Sequence, residues 1–389
     1  MSFQRTMRCD VLILDFRGSE SLRKLLGGRR SIVLPLAEES LNFWILMRMI
    51  FHFRFSRLDY YLEALSYSQA RLLASWIDTN PWFYRIAAAT SVPSIVFQNG
   101  VRNEFRPHRG LSMRQSLQSS RTFSKLSCTY YMTFGDQVPA LFGDLIQTKF
   151  TPIGSALNNS YRIEKKSLEC TGLSMISSFP SVNQSPRTTD LEVRPFGGID
   201  DQAVSFDEYF DAEKRLAQLL AGIADRHGLT FRILGKRPSN FQAEKAFYDK
   251  HLRNLEYEFV PNEAPYSHTR FGSDVIVTID STFGYEMLSR GSKVVFVSNR
   301  LARIPGINRE SFNFGYPVIR DATGPFWTNS IDPEQISRLV SSVINMNADT
   351  WARCSKPIRL QLMPFDEGNS ILNGTLEFLD DTHSETVPQ

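Results

Sequence analysis

The 389-residue chain is 42% hydrophobic and 22% charged, ordinary globular proportions that exclude a disordered or fibrous protein. Its length exceeds what one core fills, so two domains of roughly 150 to 200 residues are expected. Lys and Arg total 44 against 41 Asp and Glu, and a formal charge of +3 is too small and too dispersed for a nucleic-acid partner. Cys9, Cys128, Cys170 and Cys354 lie far apart with no CxxC pair, which reads as reduced thiols in a cytoplasmic protein.

The opening MSFQRTMRCDVLILD carries positive charge, but its apolar run is short and ends in an acid, so it predicts a first strand over 10–15 and no signal peptide. No stretch reaches the roughly 18 to 20 apolar residues of a membrane span. FWILMRMIFHFRF, residues 43–55, is broken by Arg48, His52 and Arg54. It reads as a buried helix or strand pair with snorkelling arginines; the alternative is a membrane-surface patch giving peripheral association at the inner face of the membrane. Further strands are predicted over 31–34, 72–77, 94–97 and 129–133, with helical segments between most of them. Asn80-Pro81 reads as an N-cap followed by Pro at the first helical position.

Composition shifts to Ser, Asn, Gly, Pro and Thr over 155–205, with one apolar strand at 173–176, which marks a linker into a second domain. That domain is predicted as helix 206–224, strand 230–234, helix 242–252, strands 256–260 and 274–279, helix 283–290, strand 293–297 and helix 333–345. Short, almost wholly apolar strands alternating with helices predict an α/β protein of two Rossmann-like, doubly wound domains facing across a cleft, over 1–165 and 166–345. The tail 346–389 is expected to pack back on the first domain.

In doubly wound domains ligands bind at the carboxyl ends of the strands, so residues just after strands are the candidates. VIVTIDSTFGYEML ends a strand at Asp280, Ser281 and Thr282 and opens a helix at about Phe283; a helix N-terminus suits a phosphate, and Ser281 or Thr282 is expected to cap that helix or to bond a phosphate oxygen. Gly284 is expected to leave room for a ligand, and Glu286 to accept from ribose hydroxyls. FRILGKRPSN places Gly235, Lys236 and Arg237 after a strand, where the cations suit phosphates, though the spacing is not a P-loop. In the first domain IVFQNGVRNEF offers Gln98, Asn99, Gly100 and Arg102, whose amides suit sugar hydroxyls on the acceptor side. Asp78, at a strand end before Asn80-Pro81, is the first candidate for a catalytic base, with Asp280 and Glu213 as alternatives. Glu213 stands with Asp207, Glu208 and Asp211 near a helix start, where acids also serve the helix dipole. The six histidines show no metal-ligand spacing, and no metal or cofactor is expected; His268 is the one placed near the presumed site.

The blocks PSIVFQNGVR, LSCTYYMTFGDQ, FTPIGSALNN and VIVTIDSTFGYEMLSRGSKVVFVS resemble bacterial surface carbohydrate biosynthesis proteins of lipopolysaccharide and capsule pathways, which are similar to GT-B glycosyltransferases. The resemblance implies a nucleotide-sugar donor on the second domain, a glycan or glycolipid acceptor on the first, and metal-independent transfer. It also implies phosphate and ribose roles for Ser281, Thr282 and Glu286. Some capsule enzymes of this appearance transfer Kdo from a CMP donor, and the basic residues suit such an acidic sugar. A non-catalytic sugar or nucleotide-binding module and a sugar-nucleotide epimerase are the competing functions.

Overall fold

The computed structural model describes residues 8–34, 41–102, 113–123, 125–161, 170–179, 192–193, 204–205, 210–236, 238–300 and 313–384. These fall into two compact units, the first drawn from 8–102, 113–160 and 366–384, the second from 161–365.

Unit 1 carries a six-stranded parallel sheet of β1 (Val11–Leu14), β2 (Ser31–Leu34), β3 (Leu72–Ser75), β4 (Ser94–Phe97), β5 (Ser127–Thr133) and β6 (Gln147–Pro152). Their order is β2-β1-β3-β4-β5-β6. Strands β1, β3 and β4 are buried along their whole length, because helices cover both faces of a parallel sheet. Edge strand β6 alternates half-buried and exposed residues and offers no apolar run, which is why it has no counterpart among the predicted strands. FWILMRMIFHFRF forms a helix, Phe43–Phe51, followed by a turn, and only Ile45 and Met49 of that helix are buried. The arginines therefore do not snorkel out of a buried segment: most of its apolar residues are at the surface. The helix Pro81–Ala88 begins as expected, with the Asn80 side chain accepting from the Trp82 N–H.

The last helix, Ser370–Ser384, sends Leu372, Leu376 and Leu379 into the core formed by β1, β3 and β4. Helix Ala348–Leu362 belongs instead with unit 2, so the chain returns to unit 1 at residues 365–366 rather than at 346.

Unit 2 holds β7 (Gly172–Ile176), β10 (Thr230–Leu234), β11 (Glu258–Val260), β12 (Val275–Thr278), β13 (Val294–Val297) and β14 (Trp327–Thr328), all parallel, in the order β11-β10-β7-β12-β13-β14. A two-stranded antiparallel ribbon of β8 (Glu192–Val193) and β9 (Val204–Ser205) stands apart from this sheet. Counted within the unit, the six-stranded order is 3-2-1-4-5-6, the arrangement of dinucleotide-binding sheets, and the direction of winding reverses between β7 and β12. Register aligns Ile176 with Leu234 and Val277 with Met175, so the residues that follow β7, β10 and β12 emerge side by side.

Candidate functional site at the strand-order reversal of unit 2

Where two neighbouring strands send their helices to opposite faces, their carboxyl ends part and side chains from several loops meet. At the β7/β12 reversal these are Ser178 after β7, Lys236 after β10, Asp280 after β12 and Arg300 after β13. The Ser178 hydroxyl donates to Asp280 Oδ1 at 3.1 Å, and the Lys236 Nζ donates to the Ser178 carbonyl at 3.3 Å. Arg300 joins the group from the far side: its Nε donates to Asp280 Oδ2 at 3.0 Å and its Nη2 to Glu213 Oε2 at 2.9 Å.

The carboxylates differ sharply in exposure. Asp280 is 48% exposed, whereas Glu213, in helix Asp211–His227, is fully buried and accepts from the Ser178 N–H at 2.6 Å and the Tyr248 hydroxyl at 3.0 Å. Glu213, expected as an alternative base, is therefore a structural counter-ion that holds Arg300 and the turn after β7. Desolvation would raise the Asp280 pKa, but the Arg300 charge and hydrogen bonds, with help from Lys236 and Ser178, hold it below the ordinary carboxylate value. A second buried acid, Glu244, accepts from the Lys236 N–H at 3.0 Å; burial pushes its pKa up to about 7, against the Ser177 and Lys236 hydrogen bonds.

The helix Thr282–Ser289 starts directly beside Asp280, with Ser281 at the N-cap in extended conformation and no side-chain cap bond. The Ser281 N–H donates to Thr278 Oγ1 at 3.2 Å, and the start of this helix stands beside the reversal. Two neighbouring expectations need correction. A Cβ on Gly284 would lie 2.5 Å from Thr278 Cγ2, so this glycine lets the helix close onto β12 and does not make room for a ligand. Glu286 is buried and accepts from the Tyr266 hydroxyl at 2.8 Å, which commits one oxygen to the protein rather than to ribose. Gly235 likewise answers to crowding, since its Cβ would stand 2.9 Å from Phe259 Cζ, and its carbonyl bonds His268 Nε2 at 2.8 Å. His268 is buried; desolvation, with the Arg270 charge, lowers its pKa. Arg237 lies outside the described residues.

In unit 1 the acceptor-side candidates close on each other. Asp78 is 0% exposed; Arg102 grips both its oxygens, and the Tyr131 hydroxyl donates to Oδ2 at 2.7 Å. Gln98 spends its amide on the Gly100 carbonyl at 2.9 Å and the Phe134 N–H at 2.7 Å, and Asn99 donates to the Trp76 carbonyl at 2.8 Å. Asp78 therefore does not project from the sheet edge as a base. It is the counter-ion of a buried knot in which Gln98, Asn99, Gly100 and Arg102 tie the loops after β3, β4 and β5 together. The strand-end position is as expected; the partner 24 residues downstream, which turns the side chain inward, was not visible in the local pattern. Arg300 is a residue of this cluster that the sequence reading does not single out, although VVFVSNR follows the same rule of a polar residue just after an apolar strand. Among the described residues no group of acids, His and Cys could hold a metal ion.

Two doubly wound parallel sheets in succession, the second with its polar residues gathered at the strand-order reversal, define a protein of GT-B-like architecture. Over residues 95–380 the chain matches the family model described as "putative O-antigen biosynthesis protein", well over half its length, and it belongs to that family. Among solved structures it is similar to a glycosyltransferase from Rickettsia africae ESF-5, with a TM-score of 0.50 and 11% identity over 97% of this chain and 100% of that one. The wall teichoic acid polymerase TagF gives a TM-score of 0.49 at 10% identity over 98% and 90% of the two chains. UDP-GlcNAc 2-epimerase of Methanocaldococcus jannaschii gives 0.48 at 10% identity over 95% and 99%. At 11% identity the likeness to the Rickettsia africae structure is one of fold. No curated protein matches the sequence.

Proposed function

We propose that the protein is a glycosyltransferase of surface carbohydrate assembly, moving a sugar from a nucleotide-sugar donor held on unit 2 to a glycan or glycolipid acceptor of O-antigen type. The observation that carries this reading is the convergence of Lys236, Arg300, Asp280 and the helix N-terminus at Ser281–Thr282 on the strand-order reversal of a 3-2-1-4-5-6 sheet. Lys236, Arg300 and the backbone N–H groups supply positive potential for the donor phosphates, so transfer needs no metal ion. Asp280, half-exposed and held ionised by Arg300, accepts hydrogen bonds from hydroxyls of the donor, and of the three candidate carboxylates it is the one with an exposed side. The finer reading is a CMP-linked acidic sugar such as Kdo, whose carboxylate would add a second anion for the same two cations.

A thermal-shift screen of CMP, UDP, GDP and dTDP tests the site, since a ligand at 100 times its Kd adds about 2.7 kcal/mol of stability to the state that binds it. One nucleotide should raise the melting temperature, and Lys236→Ala should reduce the rise. If none of the four shifts the transition, the donor site is not here. Consumption of a UDP-sugar without any acceptor would instead favour an epimerase, and binding without turnover a non-catalytic module.

A further inference from the structure

The helix Phe43–Phe51 and the turn after it put large apolar side chains where a globular surface normally has none. Phe51, Phe53 and Phe55 are 80%, 86% and 73% exposed, and Ile50 on the same turn is exposed beside them. Rings that exposed, three within five residues, form a contiguous apolar tip of the kind that marks an interaction site.

The tip is built, not frayed. The N–H groups of His52, Phe53 and Arg54 return to the carbonyls of Arg48, Ile50 and Met49 at 2.9, 3.1 and 2.9 Å, and Phe53 takes a positive φ of 53° that reverses the chain. Beneath it the buried carboxylate of Glu63 receives Arg48 Nε at 3.2 Å, His52 Nδ1 at 2.8 Å and Arg54 Nη1 at 3.0 Å. The polar side chains of F-H-F-R-F are thereby drawn down to one side, and the alternate phenyl rings are left standing on the other. Next along the chain, Ser56 and Asp59 form a capping box that fixes where the following helix, Arg57–Ser68, begins.

Charge identifies the occupant. From residue 41 to 57 there is no acid, against Arg48, Arg54, Arg57 and His52, and the Arg48 and Arg54 side chains stay 37% and 48% exposed even while they bond Glu63. A convex turn of phenyl rings ringed by arginines matches the boundary between acyl chains and anionic headgroups, where rings enter the apolar layer and cations meet phosphate.

We propose that this tip seats unit 1 on the surface of an anionic lipid bilayer, with Ile50, Phe51, Phe53 and Phe55 inserted and Arg48 and Arg54 at the phosphates. The inference does not depend on the donor site, and its test contains no nucleotide. Flotation of the full chain with phosphatidylcholine vesicles, with and without phosphatidylglycerol, should recover it with the anionic vesicles and less so at high salt. The triple variant Phe51→Ser, Phe53→Ser, Phe55→Ser should keep the wild-type melting temperature, because those rings pack on little, and lose at least roughly tenfold in vesicle partitioning. A Phe53→Trp variant should shift its emission to the blue when anionic vesicles are added. Equal partitioning of the triple variant and wild type, or no wild-type binding to either vesicle, overturns the proposal. So does a wild-type dimer in lipid-free buffer that the triple variant loses, since the tip would then be covered by a second copy.

Discussion

Arg300→Met removes the guanidinium that joins Glu213 to Asp280 while keeping an apolar stem of similar length. The two halves of that interaction are unequal. The bond to Asp280 lies at a half-exposed carboxylate, where solvent screening leaves about 0 to 1 kcal/mol. The bond to Glu213 is fully buried, and without Arg300 that carboxylate keeps, among the described residues, the Ser178 N–H and the Tyr248 hydroxyl. Breaking a buried pair by deleting one partner costs about 3 to 5 kcal/mol, chiefly because the other charge stays in place. The single variant should therefore lower the melting temperature of unit 2 by roughly 6 to 20 °C, taking about 2 to 4 °C per kcal/mol for a body of this size. Adding Glu213→Gln removes the stranded charge and leaves an amide oxygen for the Ser178 N–H. The double variant should recover more than half of the loss, a coupling read directly from a double-mutant cycle in urea. It should still bind the donor nucleotide weakly, which separates the folding role of Arg300 from its ligand role. A single variant that melts within about 2 °C of wild type, or a double variant no better than the single, would show that Glu213 and Arg300 are not energetically paired.

Asp78→Asn strands the buried Arg102 guanidinium and should cost about 3 to 5 kcal/mol in urea unfolding; a variant of wild-type stability with greatly reduced turnover would restore Asp78 as a base. Gly284→Ala puts a methyl against Thr278 and should destabilise by about 1 to 3 kcal/mol, whereas Gly222→Ala, whose nearest neighbour would be the Arg226 guanidinium at 3.7 Å, should stabilise by about 0.5 to 1 kcal/mol in the same assay. Glu244 has its pKa raised by burial from the ordinary 4.5 to about 7, so its protonated form favours folding. That contribution is fully present below pH 4.5 and is lost as pH rises through about 7, an amount of about 3 kcal/mol. Unfolding of wild type and Glu244→Gln at pH 5 and pH 8 checks this: the wild type should lose stability relative to the variant at the higher pH, and parallel curves would refute it.

The sequence by itself determined the alternation of strand and helix, most strand positions to within two residues, and the rule that polar residues just after strands gather at one sheet edge. Those signals are local: β1, β4 and β12 are apolar runs because both faces of a parallel strand are covered, and Asn80 before Pro81 caps a helix wherever it occurs. The same local reading could see that Asp78, Asp280 and Glu213 are acids near element ends, but not which of them faces water. That depends on partners far along the chain: Arg102 turns Asp78 inward, Arg300 and Tyr248 bury Glu213, and Asp280 keeps an exposed side because its neighbours Ser178 and Arg300 approach from only part of its surroundings. The strand order that brings β7 beside β12 was equally a tertiary decision, since parallel strands of similar apolar composition carry little information about which neighbour they choose. Gly284 shows the limit most plainly: sequence marks a residue without a side chain, and only the packed sheet, with Thr278 a bond length or two away from the missing Cβ, says that the space belongs to the core.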